Sequence, residues 1–96
     1  MYHVYIYSIV ELEIKELIKD LYFKYGDNYA DDIEKGILNN IEFLATNPLA
    51  IKLESIIKTN RRTYVNVRKI GYRGFYLIYT VTADKVLIED ITNVIK

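Results

Sequence analysis

Residues 72–91 read YRGFYLIYTVTADKVLIEDI. Two apolar runs, Phe75–Val81 and Val86–Ile91, flank the polar connector Thr82-Ala83-Asp84-Lys85. Both runs are rich in β-branched and aromatic side chains, which pack best on a pleated, half-buried surface. The connector predicts a hairpin with Asp84 as its turn residue. A second turn, Gly71-Tyr72-Arg73-Gly74, precedes the first run. Before it, Thr63–Ile70 (TYVNVRKI) alternates. Thr63, Val65, Val67 and Lys69 fall on one face of that strand, and Tyr64, Asn66, Arg68 and Ile70 on the other.

Further toward the N-terminus, Leu49–Lys58 (LAIKLESIIK) fits a turn of helix or an irregular loop. Asn47-Pro48 closes a helix, because the residue before proline avoids the helical region. Ala30, Ile33, Ile37, Ile41 and Leu44 form that helix's apolar stripe, with Leu38 beside it. Asp27 or Asn28 is its expected cap, and Asp31, Asp32 and Glu34 suit its positive end. Gly26 is a left-handed stop for an earlier helix, whose stripe is Val10, Ile14, Leu17, Ile18 and Leu21. Ser8-Ile9-Val10-Glu11 matches a capping box at its start. Tyr2–Tyr7 (YHVYIY) alternates as a first strand.

The predicted order is therefore β-α-α-β-β-β. This is an α+β domain spanning 1–96, with an antiparallel helical hairpin packed on a mainly antiparallel four-stranded sheet. A chain of 96 residues suits one small core. The longest apolar run, Phe75–Val81, is far short of the ~20 residues that span a bilayer. No signal-peptide pattern opens the chain, and there is no cysteine, which together fit a cytoplasmic protein without a membrane partner.

Thirteen basic and thirteen acidic side chains cancel, but unevenly along the chain. Residues 1–50 carry four bases and nine acids, whereas residues 58–73 carry six bases and no acid. Those six are Lys58, Arg61, Arg62, Arg68, Lys69 and Arg73, interleaved with Tyr64 and Tyr72. Arginine presents planar paired donors to phosphate, and tyrosine rings stack on unpaired bases. The segment reads as a site for single-stranded or structured RNA. Its competing reading is a solvated strand whose cations meet the acidic helices or an acidic protein partner.

Other chemistry is sparse. Tyr79 lies inside an apolar run and reads as core. His3, the only histidine, reads as strand surface. The acids of residues 27–34 lack the glycine and terminal glutamate of a calcium loop, and no metal-ligand spacing occurs. No phosphate loop, nucleophile elbow or other cofactor motif is present, so no cofactor is expected.

The strand-helix-helix-strand order, the opening YHVYIYS, the helix ending in Asn-Pro and the tail GFYLIYTVTADKVLIEDITNVIK resemble the bacterial RelE/ParE toxin superfamily. In that family a basic strand precedes an aromatic "YR-apolar-x-Y" strand and a "V-x-I-x-x-I" strand. Phe75–Tyr79 and Val86–Ile91 match that layout. The resemblance implies a type II toxin held by a cognate acidic antitoxin that folds on binding. Some members cleave mRNA on the ribosome without a metal, the 2′-hydroxyl attacking its own phosphate. Others, the ParE type, poison DNA gyrase and cleave no RNA.

Carried onto this chain, the endoribonuclease reading makes Arg68, Arg73, Lys69 and Tyr72 catalytic. Lys58, Arg61, Arg62 and Tyr64 would bind RNA, and Lys58, Lys69 or Lys52 would move the proton. Tyr76 stands where the family pattern has an arginine, and Asn93 where a histidine is frequent. The expected activity is metal-independent, ribosome-dependent cleavage of mRNA, with inhibition of gyrase, or a domain that only binds its antitoxin, as the alternatives.

Overall fold

The computed structural model describes residues 1–95. Its elements are β1 (His3–Ile6), α1 (Ser8–Tyr25), α2 (Asp27–Thr46), β2 (Glu54–Lys58), β3 (Thr63–Tyr72), β4 (Phe75–Thr82) and β5 (Lys85–Thr92). The strands form one sheet in the order β1-β5-β4-β3-β2. β1 runs parallel to β5, and the helical hairpin is the crossover between β1 and the rest of the sheet. The other three pairings are antiparallel.

The α+β class, the helical hairpin and the mainly antiparallel sheet match the sequence expectation. The strand count does not, because the sheet has five strands rather than four. The extra one, β2, lies within the segment read as helical turn or loop. Its apolar residues are spaced for neither period alone, and its partner is the strand that follows it.

One helical hairpin covers one face of the sheet. Val10 and Leu21 of α1 and Ala30, Ile33, Ile37 and Leu44 of α2 bury against Phe75, Leu77, Tyr79, Val86, Ile88 and Ile91. Gly26 ends α1 at φ 88, donating its N–H to Tyr22 O, and its carbonyl opens α2. The expected caps do not form. Ser8 is already helical, Tyr7 occupies the N-cap position, and no side chain caps either helix. With one residue between the helices, Gly26 leaves no room for Asp27 or Asn28 outside α2.

Two backbone irregularities shape the opposite, back face. Asn66 adopts φ 54, which breaks the expected alternation of β3. Tyr64 and Val67, predicted on opposite faces, instead bury together with Ile57 and Ile78 in a second small core. The outer part of the β2–β3 hairpin bends across the back of the sheet, so that Thr59 pairs with Ile95 and Tyr64 reaches Asp90, two strands away. In β5, Tyr79 pairs with Ile88 while Ile78 pairs with Asp90, leaving Glu89 as an extra residue. That bulge turns Asp90 to the back face and returns Ile91 to the helix face.

The two hairpin turns are tight. Arg73 and Gly74, at φ 49 and 86, make a two-residue link with both centres left-handed. Asp84 lies in the two-residue β4–β5 turn, as expected, beside Ala83, whose φ of 54 takes the left-handed position. No helix among the described residues is long and apolar enough to cross a membrane.

Candidate functional site

The cations of residues 58–73 do not converge. The geometry disperses them over three places on β2, β3 and their turns.

At the hairpin tip, Arg61 bridges two acids from different elements. Its Nη1 donates to Glu13 of α1 and its Nη2 to Asp90 of β5, with a further bond to Ile91 O at 3.1 Å. Asp90 is buried, at 4% exposure, and also accepts the Tyr64 hydroxyl at 2.5 Å. A buried carboxylate is tolerable only when paired and hydrogen-bonded, so Arg61 and Tyr64 are what let β5 carry one. Bonding to Glu13, with the charge of Asp90 adding, raises the pKa of Arg61 further above its ordinary value. Burial, with the bond and charge of Asp90, pushes the Tyr64 hydroxyl up to about 12 against the opposing pull of Arg62. Thr59 shapes the turn itself, its Oγ1 accepting the N–H groups of Arg61 and Arg62.

Further along β3, consecutive residues point to opposite faces. Arg68 pairs across with Tyr79 on the helix side, and its Nε donates to Ile51 O at 2.8 Å. It thereby pins the segment between α2 and β2. Lys69 pairs across with Ile78 on the back face and bridges to Glu54 at 2.8 Å. Its ammonium also lies 5.8 Å from the Tyr76 ring centre. Tyr76 in turn covers Gly71, where a Cβ would meet the ring at 2.6 Å.

At the end of β3, Tyr72 and Arg73 share one acid. The Tyr72 hydroxyl donates to Asp32 Oδ1 at 2.7 Å, and Arg73 Nε lies 3.0 Å from Asp32 Oδ2. Both thereby join β3 to α2.

Among the described residues, Lys58 and Arg62 form no ion pair; Arg62 stacks 5.5 Å above the Tyr64 ring. Of the eight residues singled out in the sequence, Arg61, Arg62 and Tyr64 are brought together. Arg68 and Lys69 are held on opposite faces, and Tyr72 and Arg73 form a separate pair on α2. The sequence reading named the cations but not their partners Glu13, Asp32, Glu54 and Asp90. One signal for Asp90 was available: an acid inside the apolar run of β5, where an unpaired charge could not stay.

No group of three His, Asp or Glu side chains that could hold a metal occurs among the described residues. Tyr79 is buried, its hydroxyl donating to Pro48 O at 2.7 Å, and burial pushes its pKa up to about 12. It is a core residue fastening the end of α2 to the sheet. Compared with known proteins, the chain matches no family model, no curated protein and no solved structure.

Proposed function

We propose that the chain is the toxin component of a type II toxin–antitoxin pair, built on a RelE/ParE-like fold, and that it acts by binding a protein target such as DNA gyrase. The observation that carries the fold part of this reading is the placement of β1 parallel to β5, with the helical hairpin as crossover and β3, β4 and β5 as a meander. The basic strand of that meander is β3, as the resemblance requires.

The dispersal of the cations favours protein binding over RNA cleavage. Stabilising a phosphorane needs several cations within reach of one phosphate, and a group free to take the 2′-hydroxyl proton. Here Arg68 and Lys69 face apart, and Lys69 and Arg73 already carry carboxylate partners. The Tyr72 hydroxyl is spent on Asp32. The cognate partner is an acidic antitoxin that folds on binding, for which the basic residues left at the hairpin tip supply the complementary charge.

A ribosome-dependent endoribonuclease is the second reading. What favours it is Arg62, an exposed cation with no ion pair among the described residues, lying over the Tyr64 ring, a cation-and-aromatic pairing of the kind that contacts single-stranded RNA. Purified gyrase separates the two. The first reading expects trapped cleaved DNA on adding the protein, with ribosome-bound messages intact. Unimpaired supercoiling at saturating protein, together with new mRNA 5′ ends, selects the second.

A further inference from the structure

The outward face of α1 carries a second apolar stripe. Its core face holds Val10, Ile14, Leu17, Ile18 and Leu21. On the opposite side Ile9, Leu12 and Phe23 are 62%, 51% and 76% exposed. Ile9, Leu12, Glu16, Lys19 and Phe23 follow one another at alternating steps of three and four residues, the spacing of a helix–helix seam. Glu16 and Lys19 are exposed as well. The other charges of α1 have partners within the chain: Glu11 with Lys15, Asp20 with Lys24, and Glu13 with Arg61. Among the described residues, Glu16 and Lys19 form no ion pair.

We infer that this stripe is the interface for a second copy of the chain, the two α1 helices packing antiparallel about a two-fold axis at the level of Leu17 and Ile18. In that register Glu16 of each copy faces Lys19 of the other. Phe23 of each enters the space between Ile9 and Leu12 of the other. Symmetry makes every such contact twice. Charge fixes both the direction and the occupant. A parallel pair would set Glu16 against Glu16 and Lys19 against Lys19, and a uniformly acidic helix would set an acid against Glu16. Glu13 and Asp20 border the stripe on one side and keep Arg61 and Lys24 as their partners. Three large apolar side chains of each copy leave water. The inference is independent of which target the protein acts on.

Sedimentation of the unmodified chain should show twice the monomer mass. Phe23→Glu should return it to monomer at the same concentration. Ile56→Ser removes an equally exposed apolar side chain on β2, 55% exposed, and should leave the dimer intact. Circular dichroism checks that both variants keep the fold, as substitutions at exposed positions should.

Charge reversal tests the register. Glu16→Lys sets base against base at both symmetric contacts, and Lys19→Glu sets acid against acid. Each alone should weaken dimerisation roughly tenfold or more, and mixing the two variants should restore it. A monomer at the highest soluble concentration overturns the inference, whether or not another protein covers the stripe. So does a dimer that survives Phe23→Glu, a dimer lost in Ile56→Ser, or a mixture of the two charge variants no tighter than either alone.

Discussion

The Tyr72 ring lies directly on Gly36: a Cβ at residue 36 would stand 2.1 Å from the ring's Cδ2. Glycine inside a helix costs about 1 kcal/mol relative to alanine, and here it opens the space that lets β3 meet α2. The Tyr72 hydroxyl then reaches Asp32, one turn earlier on the same helix. Tyr72, which the endoribonuclease reading makes catalytic, also fastens the sheet to the helix.

Gly36→Ala should therefore destabilise the fold by about 2 kcal/mol despite its better helix propensity, because overpacking outweighs the propensity gain. Urea denaturation measures it. Tyr72→Phe keeps the ring and loses only the Asp32 bond, so about 1 kcal/mol is expected. Gly36→Ala combined with Tyr72→Ser should cost less than the sum of the two single changes, since the clash needs both partners.

The two arginines of the hairpin tip should behave differently. Arg61→Ala leaves Asp90 buried with only Tyr64 to hold it, and a loss of about 2 kcal/mol follows, less than for a fully buried pair because Arg61 is half exposed. Arg62→Ala removes an exposed cation over a ring and should change stability by no more than about 0.5 kcal/mol. Equal losses in thermal or urea melts would contradict the assignment of Arg61 to structure and Arg62 to surface.

Alkaline pH probes the two buried tyrosines. Tyr64 and Tyr79 have hydroxyls raised from 10.0 to about 12 in the folded chain. The folded state holds these protons more tightly than the unfolded one. Their contribution to stability is thus fully present below pH 10 and is lost as pH rises through about 12. Ultraviolet titration should show a late-ionising fraction to which Tyr64 and Tyr79 both contribute. Tyr64→Phe and Tyr79→Phe should each diminish it.

Asn66 tests the bend in β3. Asparagine tolerates the left-handed region better than branched residues do. Asn66→Val, which completes an alternating strand in sequence, should destabilise by about 1–2 kcal/mol, while Asn66→Gly should be neutral or stabilising. Chemical denaturation of the two variants checks the ordering.

Much of the architecture was legible because it is local. The stripe from Val10 to Leu21, the stop at Gly26, the Asn47-Pro48 terminus and the hairpin of β4 and β5 each announce themselves within a few residues. β2 did not, because ESIIK becomes a strand only through its partner Thr63–Val67. Nor did the positive φ at Asn66, the Glu89 bulge or the folding of the hairpin tip across the back of the sheet. The candidate site was legible as composition and illegible as geometry. Six cations without an intervening acid looked like a phosphate site, yet Glu13, Asp32, Glu54 and Asp90 come to three of them from distant parts of the chain.

Inducible expression in a bacterial host, with colony counts and mapping of mRNA 5′ ends in the same culture, tests the central claim most directly. The account predicts that growth stops while messages stay intact, and that co-expression of the cognate acidic partner restores growth. Normal growth on induction, or arrest accompanied by new 5′ ends within translated messages, would contradict it.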